Sequence, residues 1–255
     1  MKERRFRRGA AILPTLFTIG NLFLGFWAVV ETFRGSFAEA APLIGWAIVM
    51  DMLDGRIARL TGTASEFGGE LDSLADLISF GVAPALLAYS WGFADHVRRA
   101  GWLAAFLFLM CGTLRLARFN VQRHVVDGRF FVGMPIPAAA GQVAAVVAFM
   151  PRGLADRFEA TLGLAVVVIL AFLMVSTFRY RSFKGVDLRS RRSYVAVLGI
   201  GILFAVIALH PEWSLLAVAT LYSVSAPAAY VLGLVLRRRA EPPAAVAAGA
   251  AHSST

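Results

Sequence analysis

The stretch MDMLDGRIARLTGTASEFGGELDSLADLISFG, residues 50–81, places six acidic and two basic residues between strongly apolar runs. Its aspartates form two pairs, Asp51 with Asp54 and Asp72 with Asp76, spaced by three and by four residues. Residues at these spacings share one face of a helix, so each pair predicts two carboxylates that point the same way. Glycine, threonine and serine between the pairs indicate a short turn. The stretch therefore predicts a helical hairpin on which four carboxylates converge.

The rest of the chain is apolar in long blocks. Hydrophobic residues make up 58% of its 255 residues, and the mean hydropathy is +0.69. A helix needs about 20 apolar residues to cross a bilayer, whereas barrel strands would alternate in polarity. We predict an all-α polytopic membrane protein with about eight transmembrane helices, at roughly 12–31, 36–54, 71–93, 99–118, 133–150, 160–178, 193–209 and 213–236.

The distribution of basic residues predicts the orientation of the chain. If both termini are cytoplasmic, all but five of the 25 Lys and Arg residues lie on the cytoplasmic side, the exceptions being Arg34, Arg98, Arg99, Arg152 and Arg157. This asymmetry follows the positive-inside rule and places the aspartate hairpin at the cytoplasmic face. The net charge of +9 is then explained by loops beside anionic lipid, so we expect membrane lipids and no nucleic acid as partners.

Four converging carboxylates predict a site for metal ions. At about 4 Å and an effective dielectric near 20, each like-charged contact costs about 4 kcal/mol. Hard divalent cations remove this repulsion, and ligand sets made only of oxygen suit Mg²⁺, Mn²⁺ or Ca²⁺. Two such ions would clamp a diphosphate and assist its displacement. Carboxylates within membranes also mark ion pathways, so a cation transporter with an acidic site is an alternative of a different class.

The same residues resemble a known family. DMLDGRIAR (51–59), eight further residues and GGELDSLAD (68–76) are similar to the signature of CDP-alcohol phosphatidyltransferases, D-x-x-D-G-x-x-A-R, x8, G-x-x-x-D-x-x-x-D. Every fixed position of that signature is filled, by Asp51, Asp54, Gly55, Ala58, Arg59, Gly68, Asp72 and Asp76.

This resemblance implies a six-helix membrane enzyme core, here extended by two helices, that is usually dimeric and displaces CMP from a CDP-linked lipid with an alcohol. It further implies two divalent cations, Mg²⁺ or Mn²⁺. The first three aspartates would hold one ion, and Asp51, Asp72 and Asp76 would hold the other. Asp76 would also accept the proton of the alcohol, as general-base catalysis requires. The residues implied to bind CDP-diacylglycerol are Gly55, Arg59, Ser65 and Gly68.

Four further stretches resemble the membrane-embedded bacterial phosphatidylserine synthases. They are PTLFTIGNLFLGFWAV (14–29), SFGVAPALL (79–87), CGTLRLARFNVQ (111–122) and GMPIPAAAG (133–141). The resemblance implies L-serine as the acceptor, phosphatidylserine as the product, a role in phospholipid biosynthesis and the bacterial inner membrane as the location. The same chemistry with glycerol 3-phosphate, inositol phosphate or choline is the nearest alternative.

Serine carries a carboxylate, so its site needs a cation. Arg115 and Arg118 are three residues apart at the cytoplasmic end of the fourth span, and arginine binds carboxylates in a bidentate manner. We predict that both contribute to the serine site together with Asn120, although arginines at such positions also anchor helices to lipid head groups. Asn21, a polar residue within the first span, is predicted either to contact CDP-diacylglycerol or to hold helices together.

These patterns divide the chain into four parts. We expect a basic cytoplasmic N-terminus at 1–11, a membrane catalytic domain at 12–209, a last transmembrane helix at 210–236 and a disordered cytoplasmic tail at 237–255. The tail is rich in alanine and proline and lacks apolar periodicity, which is typical of segments without a packed core.

Overall fold

The computed structural model describes residues 2–62, 65–122, 130–181 and 209–240. These residues are almost entirely helical, which confirms the all-α fold. The helices are α1 (Lys2–Phe33), α2 (Phe37–Thr61), α3 (Glu66–Asp76), α4 (Ala83–Ala88), α5 (Ala94–His96), α6 (Arg98–Gln122), α7 (Ile136–Phe149), α8 (Arg157–Val175) and α9 (Pro211–Ala240). Two wide π-helical segments, Leu77–Val82 and Tyr89–Phe93, join α3, α4 and α5 into one long stretch.

Five of the described helical stretches are long and apolar enough to cross a membrane, so the protein is a multi-pass membrane protein. They are Pro14–Phe33, Glu66–His96, Arg98–Val121, Arg157–Val175 and Pro211–Gly233. α7 is apolar but has 14 residues, so it is about 21 Å long, shorter than the hydrocarbon layer. α2 has 25 residues and carries the first aspartate pair. The predicted span at 193–209 lies, except for its last residue, outside the described residues.

A two-stranded antiparallel ribbon, which was not predicted, connects distant parts of the chain. β1 (Phe130–Val132) precedes α7, β2 (Arg179–Arg181) follows α8, and Phe131 faces Tyr180 in the register. Gly133 leaves the ribbon at a φ of +80°, and a Cβ atom there would lie 2.3 Å from the carbonyl oxygen of Met174. Only glycine fits this position, because both the backbone conformation and the space exclude a side chain.

The predicted hairpin between α2 and α3 is present, and its ends are capped. α2 ends at Gly62, which adopts the left-handed conformation that closes many helices, and its N–H donates to the carbonyl of Ala58. α3 begins after Ser65, whose side chain accepts the backbone N–H of Gly68. These caps fix where the two helices stop and start, and therefore where their aspartates lie.

One face of α1 packs closely against the long stretch that begins with α3. Thr18, Asn21 and Gly25 lie three or four residues apart and share this face. A Cβ atom on Gly25 would lie 2.2 Å from the Oγ atom of Ser79, which itself donates to the carbonyl of Asn21 at 3.0 Å. The missing side chain lets the two helices approach, as small residues do in membrane proteins generally. This crossing brings the polar residues of α1 to the aspartate hairpin.

Candidate active site

Three carboxylates from two helices meet at the hairpin. Asp51 lies near the end of α2, and Asp72 and Asp76 lie one turn apart on α3. One carboxylate oxygen from each residue lies within 4.8 Å of the others, and all three residues are half-buried. The carboxyl groups of Asp51 and Asp76 also lie within hydrogen-bonding reach of each other. This group is an all-oxygen set of the kind that Mg²⁺ and Mn²⁺ prefer.

Asp54 lies outside this three-carboxylate group. It is buried, with 7% of its surface exposed, and it accepts a hydrogen bond from the hydroxyl of Thr18 on α1. The Asp54 carboxylate therefore has a protein donor of its own. Its role as a metal ligand stays a prediction.

Asn21 reaches the group from α1. Its Nδ2 atom donates to Oδ1 of Asp76 over 3.2 Å, and the residue is fully buried. Its own Oδ1 atom has no hydrogen-bond partner among the described residues. The predicted contact of Asn21 with CDP-diacylglycerol is not tested, whereas its contact with Asp76 is part of the structure.

Gly55 and Arg59 lie on the last turns of α2, beside the carboxylates. Arg59 is exposed and interacts electrostatically with Asp51. A Cβ atom on Gly55 would lie 3.3 Å from Nη1 of Arg59. The guanidinium therefore lies over the glycine, where a phosphate could approach both the backbone and the positive charge.

Ser65 and Gly68, both predicted to bind CDP-diacylglycerol, contact each other. The N–H of Gly68 donates to Oγ of Ser65 over 3.0 Å, which caps α3. Gly68 and Gly69 are part of α3 and do not lie in the turn. The structure thus gives this pair a capping role, and substrate contact by either residue stays a prediction.

The two arginines predicted to bind serine differ in their surroundings. Arg115 is buried with 9% of its surface exposed, its Nε atom has no hydrogen-bond partner among the described residues, and it interacts electrostatically with Asp76. Arg118, one turn further along α6, is exposed. Asn120 donates to Oγ of Ser73 on α3 over 3.0 Å. Of these three residues, Arg115 combines burial with an unpartnered donor, as a residue that binds an anion inside the protein would.

A comparison with known families identifies the chain. The family model described as CDP-alcohol phosphatidyltransferase matches residues 11–184, which include every residue of the hairpin. The chain belongs to the CDP-alcohol phosphatidyltransferase family. It is therefore a membrane transferase of phospholipid biosynthesis, and the transporter alternative loses its support.

Curated relatives of this CDP-alcohol phosphatidyltransferase have more specific names. A protein of Helicobacter pylori (strain ATCC 700392 / 26695), named CDP-diacylglycerol–serine O-phosphatidyltransferase, is 38% identical over 76% of this chain and 81% of its own. A Bacillus subtilis (strain 168) protein with the same name is 35% identical over 68% of this chain and 91% of its own. The archaetidylserine synthase of Methanothermobacter thermautotrophicus is 37% identical over 68% of this chain and 71% of its own.

Thr18 and Ser73, which the structure places against predicted site residues, were not predicted from the sequence. In this phosphatidyltransferase, Thr18 bonds Asp54 and Ser73 bonds Asn120. A signal for Thr18 was available, because it precedes Asn21 by about one helical turn within a largely apolar span. Ser73 carries no comparable signal, since a serine beside Asp72 is unremarkable without the tertiary contact.

Proposed function

We propose that this CDP-alcohol phosphatidyltransferase transfers the phosphatidyl group of CDP-diacylglycerol to the hydroxyl of L-serine, giving phosphatidylserine and CMP. The observation that carries the proposal is the meeting of Asp51, Asp72 and Asp76 beside a buried, incompletely bonded Arg115. The names of the relatives support serine as the acceptor.

The carboxylate group fits divalent cations, and we propose that Mg²⁺ or Mn²⁺ binds there as two ions. Asp51, Asp72 and Asp76 supply three oxygens from two helices whose ends are capped, so the ligands are held without a long loop. Asp54 would join them as the fourth ligand. Bound cations would neutralise the diphosphate and stabilise the charge that develops on departing CMP.

The proposed reaction is a displacement at the phosphorus that bears diacylglycerol. The serine Oγ atom forms a bond to this phosphorus, the bond from the phosphorus to the oxygen of CMP breaks, and the hydroxyl proton passes to Asp76. The hydrogen bond from Asn21 supports this role, because it fixes which oxygen of Asp76 is engaged and orients the other. Asn21 is then a positioning residue for the proposed base.

The substrate contacts divide between two ends of the site. We propose that Arg59 and the backbone at Gly55 bind the diphosphate of CDP-diacylglycerol, supported by the position of the guanidinium over the glycine. Arg115 is proposed to bind the carboxylate of serine. A buried donor without an acceptor is costly, and the Nε atom of Arg115, which has no hydrogen-bond partner among the described residues, is a donor for a carboxylate. Arg118 and Asn120 would line the approach to this site.

An acceptor assay tests the proposed function. The purified protein is supplied with CDP-diacylglycerol and separately with labelled serine, glycerol 3-phosphate, inositol phosphate and choline, each with and without EDTA. The proposal predicts labelled lipid and CMP release with serine, lost in EDTA and restored by excess Mg²⁺ or Mn²⁺. Transfer to one of the other acceptors in preference to serine would refute the proposed substrate, and EDTA-resistant transfer would refute the metal requirement.

We further propose the bacterial inner membrane as the location, with the termini and the active site on the cytoplasmic side. The basic residues grouped on the side of the hairpin support this orientation. Cysteines introduced at exposed Thr61 and exposed Arg152, in a Cys111→Ala background, test it in vesicles of known orientation. An impermeant maleimide should label Thr61→Cys only in inside-out vesicles and Arg152→Cys only in right-side-out vesicles. The reverse pattern would contradict the orientation.

A homodimer is also part of the proposal. It is supported by the last span, Pro211–Gly233, in whose most apolar 18-residue window 11% is buried. The described residues therefore leave much of this window uncovered, where lipid or a second copy could pack. Chemical crosslinking in native membranes should give a species of twice the 27.5 kDa chain mass, and a product of single-chain mass alone would contradict the dimer.

A further inference from the structure

The last helix, α9, lies beyond the residues that the family model matches, yet it reaches the buried arginine of the site. Tyr222 on α9 interacts electrostatically with Arg115 on α6, and Arg115 interacts in turn with Asp76 on α3. The family match ends at residue 184. A side chain outside the matched region therefore lies within electrostatic range of a residue that we place at the acceptor.

Proline at position 227 gives α9 a specific anchoring point. Pro227 lacks an N–H group, so the carbonyl of Ser223, four residues earlier, has no helical donor. The hydroxyl of Tyr180 on β2 donates to this carbonyl over 3.1 Å. Burial, followed by the effect of neighbouring Tyr222, raises the pKa of the Tyr180 phenol to about 12, so the hydroxyl keeps its proton at physiological pH.

Two further contacts fix the same turn of α9. Gln142 on α7 donates from Nε2 to the hydroxyl of Thr220 over 3.3 Å and accepts from the hydroxyl of Ser223 over 3.2 Å. The rings of Tyr180 and Tyr222 lie 5.4 Å apart between their centroids. The turn that carries Tyr222 is thus held by polar contacts at Thr220 and Ser223, in a span whose most apolar window is only 11% buried.

The burial and the unpartnered donor of Arg115 indicate that a ligand binds next to it. It is more than nine-tenths buried, and its Nε atom has no partner among the described residues. Buried polar groups are nearly always bonded, and an exception indicates a ligand or a functional role. A carboxylate has two oxygens, so a guanidinium and a phenolic hydroxyl within electrostatic range of each other can bind it with donors of two kinds.

We propose that Tyr222, anchored by Tyr180 and Gln142, completes with Arg115 the pocket that binds the carboxylate of the acceptor amino acid. Tyr222 is then a specificity-determining residue supplied by the last helix. This inference rests on the proposed function, because it assigns a partner to the acceptor of that reaction. It also assigns to α9 a role that packing alone would not require.

The test compares Tyr222→Phe with wild-type full-length protein in mixed micelles, with serine and ethanolamine as acceptors. Ethanolamine is serine without its carboxylate, so it isolates the proposed contact. Loss of one hydrogen bond to a charged group should raise the KM for serine about tenfold. The KM for CDP-diacylglycerol should stay unchanged, and the preference for serine over ethanolamine should fall by about the same factor as serine binding weakens.

Tyr230→Phe is the matched control, because it makes the same chemical change on the exposed side of the same helix. It should leave both KM values unchanged. Tyr180→Phe removes the donor to the Ser223 carbonyl and should raise the KM for serine without affecting the KM for CDP-diacylglycerol. A purely structural role would instead lower the thermal midpoint and leave acceptor preference intact.

The outcomes separate the inference from the proposed function. If wild-type protein uses serine and Tyr222→Phe keeps its KM for serine within about twofold, the role of Tyr222 is refuted and the proposed function stands. If wild-type protein does not transfer to serine at all, the proposed function fails and the inference fails with it. A selective rise in the KM for serine in Tyr222→Phe supports both.

Discussion

Replacing Asn21 with leucine tests how α1 positions the proposed catalytic base. The Nδ2 atom of Asn21 lies 3.2 Å from Oδ1 of Asp76, while its own Oδ1 is buried without a partner among the described residues. Leucine has a similar size and shape, so the fully buried site can keep its packing. The substitution removes the hydrogen bond and the unpartnered oxygen together.

These two losses have opposite effects on stability. A hydrogen bond to a charged group contributes about 1.5–3 kcal/mol, and an unpartnered buried acceptor costs about 1–3 kcal/mol. The free energy of unfolding should therefore change by less than about 2 kcal/mol. The two losses do not offset each other in catalysis. The lost hydrogen bond orients Asp76, the proposed base, whereas the lost Oδ1 atom of Asn21 does not contact it. Losing about 1.5–3 kcal/mol of transition-state stabilisation lowers kcat by about 10- to 150-fold.

CMP release by detergent-purified protein gives kcat, and a thermal midpoint measured on the same sample reports folding. Ile19→Ala, on an exposed position of α1, is the control and should keep wild-type kcat. The reasoning would be refuted by an Asn21→Leu variant with full kcat. It would equally be refuted if the loss of activity merely followed a loss of folded protein.

Three further predictions concern other parts of the site and its support. Asp76→Asn should lower kcat by at least about 100-fold while the thermal midpoint stays within a few degrees, since it removes the proton acceptor; substantial turnover would exclude Asp76 as the base. Gly25→Val should lower the thermal midpoint strongly, because a Cβ atom there lies 2.2 Å from Oγ of Ser79, whereas Gly20→Val, with no atom nearer than 3.8 Å, should not. Ser65→Ala should cost about 1 kcal/mol of stability through the lost cap; a raised KM for CDP-diacylglycerol would support the predicted substrate contact of Ser65, and an unchanged KM would exclude it.

Much of the fold was predictable because it depends on local patterns. Long apolar blocks predicted the membrane helices, and Gly62 with Ser65 marked the turn between α2 and α3. Helical spacing also predicted that Asp72 and Asp76 share a face, which the structure confirms. These features follow from periodicity and turn chemistry, which operate within a few residues of one another.

The contacts between distant segments were not predictable in the same way. The pairing of β1 with β2 joins three-residue strands nearly 50 positions apart, too short to give a periodic signal. The anchoring of α9 by Tyr180 depends on a carbonyl that Pro227 leaves open, and only the tertiary arrangement places the tyrosine beside it. Hydropathy alone could not indicate where α9 packs.

In the candidate site, too, local features were predictable from the sequence and long-range contacts were not. Residue type and helical spacing predicted that four carboxylates converge on the hairpin, and the structure brings Asp51, Asp72 and Asp76 together. Asp54 lies outside this group and bonds Thr18 instead, a contact with a distant helix that local spacing does not predict. Arg115 and Arg118, which spacing predicted to serve one serine site, differ in their surroundings, since the first side chain is buried and the second exposed; their shared role stays a prediction. Three residues along a helix turn a side chain by about 60° from its starting direction, which here separates the protein interior from the surface.

Binding of Mn²⁺ to the detergent-solubilised protein, measured by electron paramagnetic resonance, tests most directly whether the three carboxylates form a metal centre. Wild-type protein should bind Mn²⁺, and Asp72→Asn should weaken that binding at least about tenfold, since removing even an outer partner of a metal ligand weakens binding by about that factor. Glu70→Gln, an exposed neighbour on the same helix, should bind as wild type does. Equal Mn²⁺ binding by the Asp72→Asn and Glu70→Gln variants, or none by the wild type, would contradict the account.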